Sequence, residues 1–153
     1  MKNEIVIFPN PNQEIILRNL QKELCALINE NHEQGLFAVP ILPTCIKNNE
    51  LTSLESKITK ILADSIVRYE NSFVLQIQMN INEKDSIGKI ELCRIFEEKS
   101  KNNLAKELVI KKISETQLSP QIKFNSFRIV RIETENCQTG IKWKVLEEKW
   151  KKL

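Results

Sequence analysis

At 153 residues the chain is long enough for one domain, or one domain with two lobes, around a sizeable core; its 41% hydrophobic and 28% charged residues suit a globular protein in water. A net charge of +3 does not by itself identify a nucleic-acid surface, because phosphate binding needs charge concentrated in one place. No apolar run approaches the ~20 residues of a membrane span, and the opening "MKNEIVIFPNP" has too short an apolar stretch for a secretory leader, so a cytoplasmic protein with no membrane contact is expected.

In chain order, "EIVIF" (4–8) reads as a strand closed by the turn "PNPN", and Asn12 is placed to cap a following helix. Ile16, Leu20, Leu24, Leu27 and Ile28 recur at helical spacing to about Asn31. "LFAVPIL" (36–42) is an apolar run with an internal proline, hence an edge strand, bulge or bend. Leu51, Leu54, Ile58, Ile61, Leu62 and Ile66 predict a second helix. "SFVLQIQMNI" (72–81) alternates Phe73, Leu75, Ile77 and Met79 with Gln76 and Gln78, the pattern of a half-buried strand. "NEKDS" turns the chain into a further strand, "IGKIELCRIF" (87–96), with Ile90, Leu92 and Phe96 on one side and Lys89, Glu91 and Cys93 on the other. Leu104, Ala105, Leu108, Val109 and Ile113 predict a third helix, and "FNSFRIVRIETEN" (124–136) and "IKWKVLEEKW" (141–150) are strands joined by "CQTG". The order is β-α-β-α-β-β-α-β-β. It predicts one α+β domain over residues 1–153 with mostly antiparallel sheet and helices outside.

Much chemistry is excluded. Glycines stand only at 35, 88 and 140, which leaves no dinucleotide fingerprint, phosphate loop or nucleophile elbow. Two aspartates, Asp64 and Asp85, do not suggest a carboxylate metal cage, so no metal and no cofactor is expected. The single histidine, His32, falls at the predicted end of the first helix, where an imidazole suits the helix dipole. Cys25, Cys45, Cys93 and Cys137 form no CxxC pair and are read as reduced thiols packed as small apolar residues.

The layout resembles the 2H phosphoesterase superfamily, which includes the RNA 2′,3′-cyclic phosphodiesterases also called 2′-5′ RNA ligases. "IVIFPNP" is similar to that family's opening strand. "VPIL" (39–42) stands where its first His-x-Thr-apolar strand would be. "KIELCR" (89–94) is similar to the second, with Leu92 and Arg94 in the apolar and arginine places. "FRIVRIETENCQTGIKWKVLEEKWKKL" matches its end, with Gly140, Trp143 and Leu153. The resemblance implies a two-lobed fold in which the strands at 36–42 and 87–96 face one another across a shared cleft. A βαββαβ ferredoxin-like unit with additions is the alternative fold.

In that family one histidine acts as general base and the other as general acid. Here the first pair of places holds Val39 and Ile41, with Phe37 an alternative register for Val39, and the second holds Lys89 and Glu91. Valine and isoleucine transfer no proton, and a lysine with an ordinary pKa near ~10.4 is a poor base at neutral pH. The resemblance therefore implies a catalytically inactive protein. Lys89, Arg94, Arg128 and Arg131 would be its phosphate contacts in a remnant cleft, and its partner an RNA or a nucleotide. The alternative is a monomeric protein-interaction module whose unknown partner docks on a surface unrelated to the cleft. A new reaction through Cys93 or Glu91 is a third possibility; it would need an exposed thiol of lowered pKa.

Overall fold

The computed structural model describes residues 1–30, 38–39, 44–69, 72–95, 103–116, 123–137 and 140–153. Strand β1 (Lys2–Pro9) stops at Pro9, which has no amide proton to continue a ladder. Helix α1 (Pro11–Glu30) starts at once. Its cap is Asn10, not Asn12: the Gln13 backbone N–H donates to Asn10 Oδ1 at 3.1 Å, and Pro11 takes the first helical position, where its fixed φ fits and no amide proton is needed. Leu17, Leu20, Leu24, Cys25 and Ile28 form the apolar part of the buried face of α1; of the predicted set Leu20, Leu24 and Ile28 are buried, and Ile16 and Leu27 partly so.

Next come β2 (Ala38–Val39), β3 (Ile58–Tyr69), β4 (Ser72–Ile81), β5 (Lys84–Ile95), α2 (Asn103–Glu115), β6 (Ser126–Cys137) and β7 (Gly140–Lys152). The chain is thus α+β with antiparallel pairing throughout the named ladders. One prediction fails clearly: of the segment read as a second helix, Ile58, Ile61, Leu62 and Ile66 stand on strand β3, and Leu51 and Leu54 lie in the turns before it. Its register slips between Ile58 and Lys60 and again between Ala63 and Ser65. A bulge adds one residue without changing face, so Ile58 and Ile61 are both buried three residues apart, a spacing that imitates a helix.

The strands form two sheets, ordered β1-β6-β7 and β2-β5-β4-β3. A short segment joins their edges: Ile46 exchanges backbone hydrogen bonds with Ile7 of β1 (3.0 and 2.6 Å), and Lys47 does so with Lys89 of β5 (2.8 and 2.9 Å). The main core lies on the helix side of both sheets. There α1 and Val109 of α2 cover Ile7, Phe127 and Ile129 of the first sheet and Phe73, Leu75, Ile77 and Ile90 of the second. The opposite, open face carries a smaller apolar cluster of Val6, Phe8, Cys45, Val130 and Ile132, with the Trp143 ring stacked on Phe8 at 5.5 Å. No helix among the described residues is long and apolar enough to cross a membrane.

Candidate phosphate-binding site

Alternation along β5 puts Ile90 into the core and Lys89 and Glu91 on the open face. The alternation then breaks. Phe73 pairs with Cys93 and Val74 with Glu91, so Leu92 is an extra residue. The bulge has two effects. Cys93 turns into the core, fully buried, rather than joining Lys89 and Glu91 as simple alternation would have it. Arg94 comes onto the open face instead. There its Nε and Nη2 donate to Glu91 Oε1 and Oε2 at 2.7 and 3.0 Å, while Ser72 Oγ donates to Oε1 at 2.7 Å.

Lys89 and Arg94 line one cavity of about 530 Å³, together with Lys47, Tyr69, Ser72 and Glu91. Lys47 comes from the joining segment, and its side chain also reaches Glu4 Oε2 at 3.3 Å. The Lys89 ammonium stands 4.3 Å from the centre of the Tyr69 ring, a cation–π contact, and Tyr69 Oη accepts a hydrogen bond from Gln76 Nε2 at 2.7 Å. Among the cavity's charged side chains are three cations and one carboxylate. That excess favours an anion, and the guanidinium and ammonium groups supply donors only.

Two ionisable groups beside the site are shifted. Burial pushes the Glu4 carboxyl up, but the hydrogen bonds and charges of Lys2 and Lys47 outweigh it, and the net shift is downward. Burial pushes the Cys45 thiol up to about 12, so at neutral pH it is a thiol and a weak nucleophile. Cys93 does not reach the cavity. A hydrogen bond with Cys25 and burial in the core raise its pKa, the opposite of what a reactive thiol needs.

The four predicted phosphate contacts divide. Lys89 and Arg94 share the cavity; Arg128 and Arg131 lie on β6 in the other sheet, with β1 and the joining segment in between. Arg128 pairs with Glu14 (3.1 Å) and Glu148 (3.7 Å), and its guanidinium stands 5.3 Å from the ring centres of both Phe8 and Trp150. Arg131 pairs with Glu147 at 3.5 Å. Of the other motif places, Val39 is a backbone neighbour of Arg94, while Ile41 and Phe37 lie outside the described residues, as does the helix-end histidine His32. The strand holding Val39 therefore runs beside β5 in one sheet and does not face it across a cleft. Sequence reasoning misses Lys47, because no local pattern marks a segment that bridges two sheet edges. No family model matches the chain, nor does any curated protein or solved structure.

Proposed function

We propose that this protein binds RNA or a nucleotide through its phosphate, without turning it over, in the cavity of Lys47, Lys89 and Arg94; the 2H phosphoesterase resemblance supports this reading only through the residues at 89–94, since the strand of Val39 lies beside β5 rather than across a cleft from it. The observation behind this reading is the convergence of those three cations on one concave site, where among the described residues Glu91 is the carboxylate in the lining and Glu4 reaches Lys47 from beside it. The inactivity rests on the residues in the second motif place. Lys89 and Glu91 stand there, and Glu91 is held by Arg94 and Ser72 rather than left as a free base.

The test is binding of a short fluorescent single-stranded RNA across a salt series, with Lys89→Ala alongside and a 2′,3′-cyclic phosphate end monitored for hydrolysis. One phosphate neutralised in the cavity predicts a log–log salt slope of about −0.7, and the variant should flatten it. Affinity that does not change with salt, or turnover of the cyclic phosphate, would sink the reading. A second reading, a protein-interaction surface, is favoured by one feature: edge strand β7 and the residue after it leave Val145, Leu146, Trp150 and Leu153 exposed. No RNA binding by either protein at low salt would turn attention to that strand.

A further inference from the structure

A second cavity, of about 560 Å³, lies beside the cationic one on the same sheet face, and the exposed side chain of Ile87 lines both. Its chemistry differs from that of its neighbour. Strand β4 presents Gln76, Gln78 and Asn80 at every second residue, so three amides stand in a row. Carboxylates flank the row on either side, Asp64 from β3 and Asp85 from β5.

These groups hold one another in place. Asn80 Nδ2 donates to Asp85 Oδ1 at 3.1 Å, and Asn80 Oδ1 accepts from Thr59 Oγ1 at 3.0 Å. Gln78 Nε2 donates to Asp64 Oδ2 at 3.4 Å, and Gln76 is tied to Tyr69. An amide has two donor hydrogens and a two-lone-pair acceptor, and a carboxylate has about four acceptor sites, so each group keeps capacity beyond these bonds. The result is a preset array of mixed donors and acceptors, which is what sugar hydroxyls need, since each both donates and accepts.

Charge and shape restrict the ligand further. Lys60 is outnumbered by Asp64 and Asp85, so this cavity does not favour a phosphate, whereas its neighbour does. No aromatic side chain among the described residues lines it, so it offers no platform for stacking a base. A ligand that suits both cavities has an anionic end and an uncharged, hydroxyl-bearing body.

We infer that the amide row of β4 binds the sugar of a phosphorylated sugar whose phosphate occupies the cationic cavity. The inference rests on the proposed phosphate reading and adds what the ligand is. A free sugar phosphate and the phosphorylated end of an RNA share this chemistry.

The test is calorimetric titration at low salt with inorganic phosphate, ribose 5-phosphate and a 5′-phosphorylated oligoribonucleotide, using the unaltered protein, Gln78→Val and Lys89→Ala. Gln78 is exposed and valine is a strand former, so Gln78→Val keeps the fold; Asn80→Thr is the second variant should it not. Ribose 5-phosphate should bind about tenfold more tightly than inorganic phosphate, the gain expected of one or two extra uncharged hydrogen bonds. Gln78→Val should remove that advantage and leave inorganic phosphate unchanged, while Lys89→Ala weakens every probe. Equal affinity for phosphate and ribose 5-phosphate, or no effect of either amide variant, overturns the sugar inference and leaves the phosphate reading standing. Failure of all three probes to bind overturns both. Tighter binding of the oligoribonucleotide than of ribose 5-phosphate supports the inference with a polymer end as the source; the reverse supports it with a free sugar phosphate.

Discussion

Glu91 is the residue that sets how strongly the cationic cavity can attract an anion. It holds Arg94 by both oxygens and lies about as exposed as a partner in a half-buried pair can be, with 22% of its side chain accessible. Glu91→Gln removes the carboxylate charge while an amide oxygen can still accept from Arg94. Phosphate binding at low salt should tighten by roughly threefold, and the gain should fade as ionic strength rises. A titration at two salt concentrations checks it; unchanged or weaker binding would show that Glu91 contributes by ordering Arg94 rather than by opposing the ligand. Glu4 supplies a pH signature. Its pKa in the folded chain lies below the ordinary 4.5, so the folded state favours the carboxylate. The stability it contributes is complete above that value and is lost as pH falls through the lowered one. Glu4→Gln should therefore narrow the difference in urea midpoint between about pH 7 and about pH 3.5, measured by fluorescence-monitored unfolding.

The β4–β5 hairpin shows what an element demands of its turn. Ile81 pairs with Lys84, so Asn82 and Glu83 alone make the connection, both at positive φ (50° and 69°). This is the geometry of a two-residue hairpin turn, whose twist matches that of the strands. Asn tolerates the left-handed region; Glu does so only with strain from its Cβ. Glu83→Gly should therefore stabilise the protein by roughly 0.5–1 kcal/mol, seen as a higher thermal midpoint with unchanged circular dichroism. A lower midpoint would mean that glycine's extra freedom in the unfolded chain outweighs the relief. The same hairpin was legible in part: "NEKDS" reads as its turn, but only Asn82 and Glu83 make the connection and β5 already begins at Lys84, where polar residues hide the alternation. Strand β3 was not, since its two bulges turn a period of two into apparent helical spacing around Ile58, Ile61 and Ile66. The bulge at Leu92 likewise hid the true company of Arg94: alternation alone puts Cys93, not Arg94, beside Glu91.

At the scale of the molecule the two sheets meet at Gly88 and Ile46. A Cβ built on Gly88 would stand 2.5 Å from Ile46 Cγ2 and 2.7 Å from Met79 Sδ. The methionine end can shift, but Ile46 is fully buried and its backbone is pinned to β1. Gly88→Ala should cost about 1–3 kcal/mol by overpacking. Because the contact lies at the join, the loss should appear as a single cooperative unfolding transition at lower denaturant, not as separate melting of one sheet. Two resolved transitions would show that the sheets are stable independently. This join also explains which parts of the site were legible. Lys89 and Glu91 follow from period-two alternation within one strand. Whether Arg128 and Arg131 join them depends on which strands share a sheet, and that is decided by pairings between distant segments that no local pattern encodes.

The partner of β1 is β6, so that Thr134 Oγ1 donates to the Lys2 carbonyl from 132 residues away. A ribosome adding about 5–20 residues per second would need roughly 6–25 s to deliver that partner after β1 emerges. Through that interval Ile5, Val6, Ile7 and Phe8 form an apolar ribbon whose β6-side edge has no mate, while Ile46 can already reach the other edge, and the open edge is competent to pair with the same ribbon on a neighbouring nascent chain. The β1–β6 pairing must also close a long loop before it forms, which slows refolding relative to the local β3–β4–β5 and β6–β7 hairpins. Yield on expression should therefore depend on how crowded the nascent chains are more than on the equilibrium stability of the finished fold.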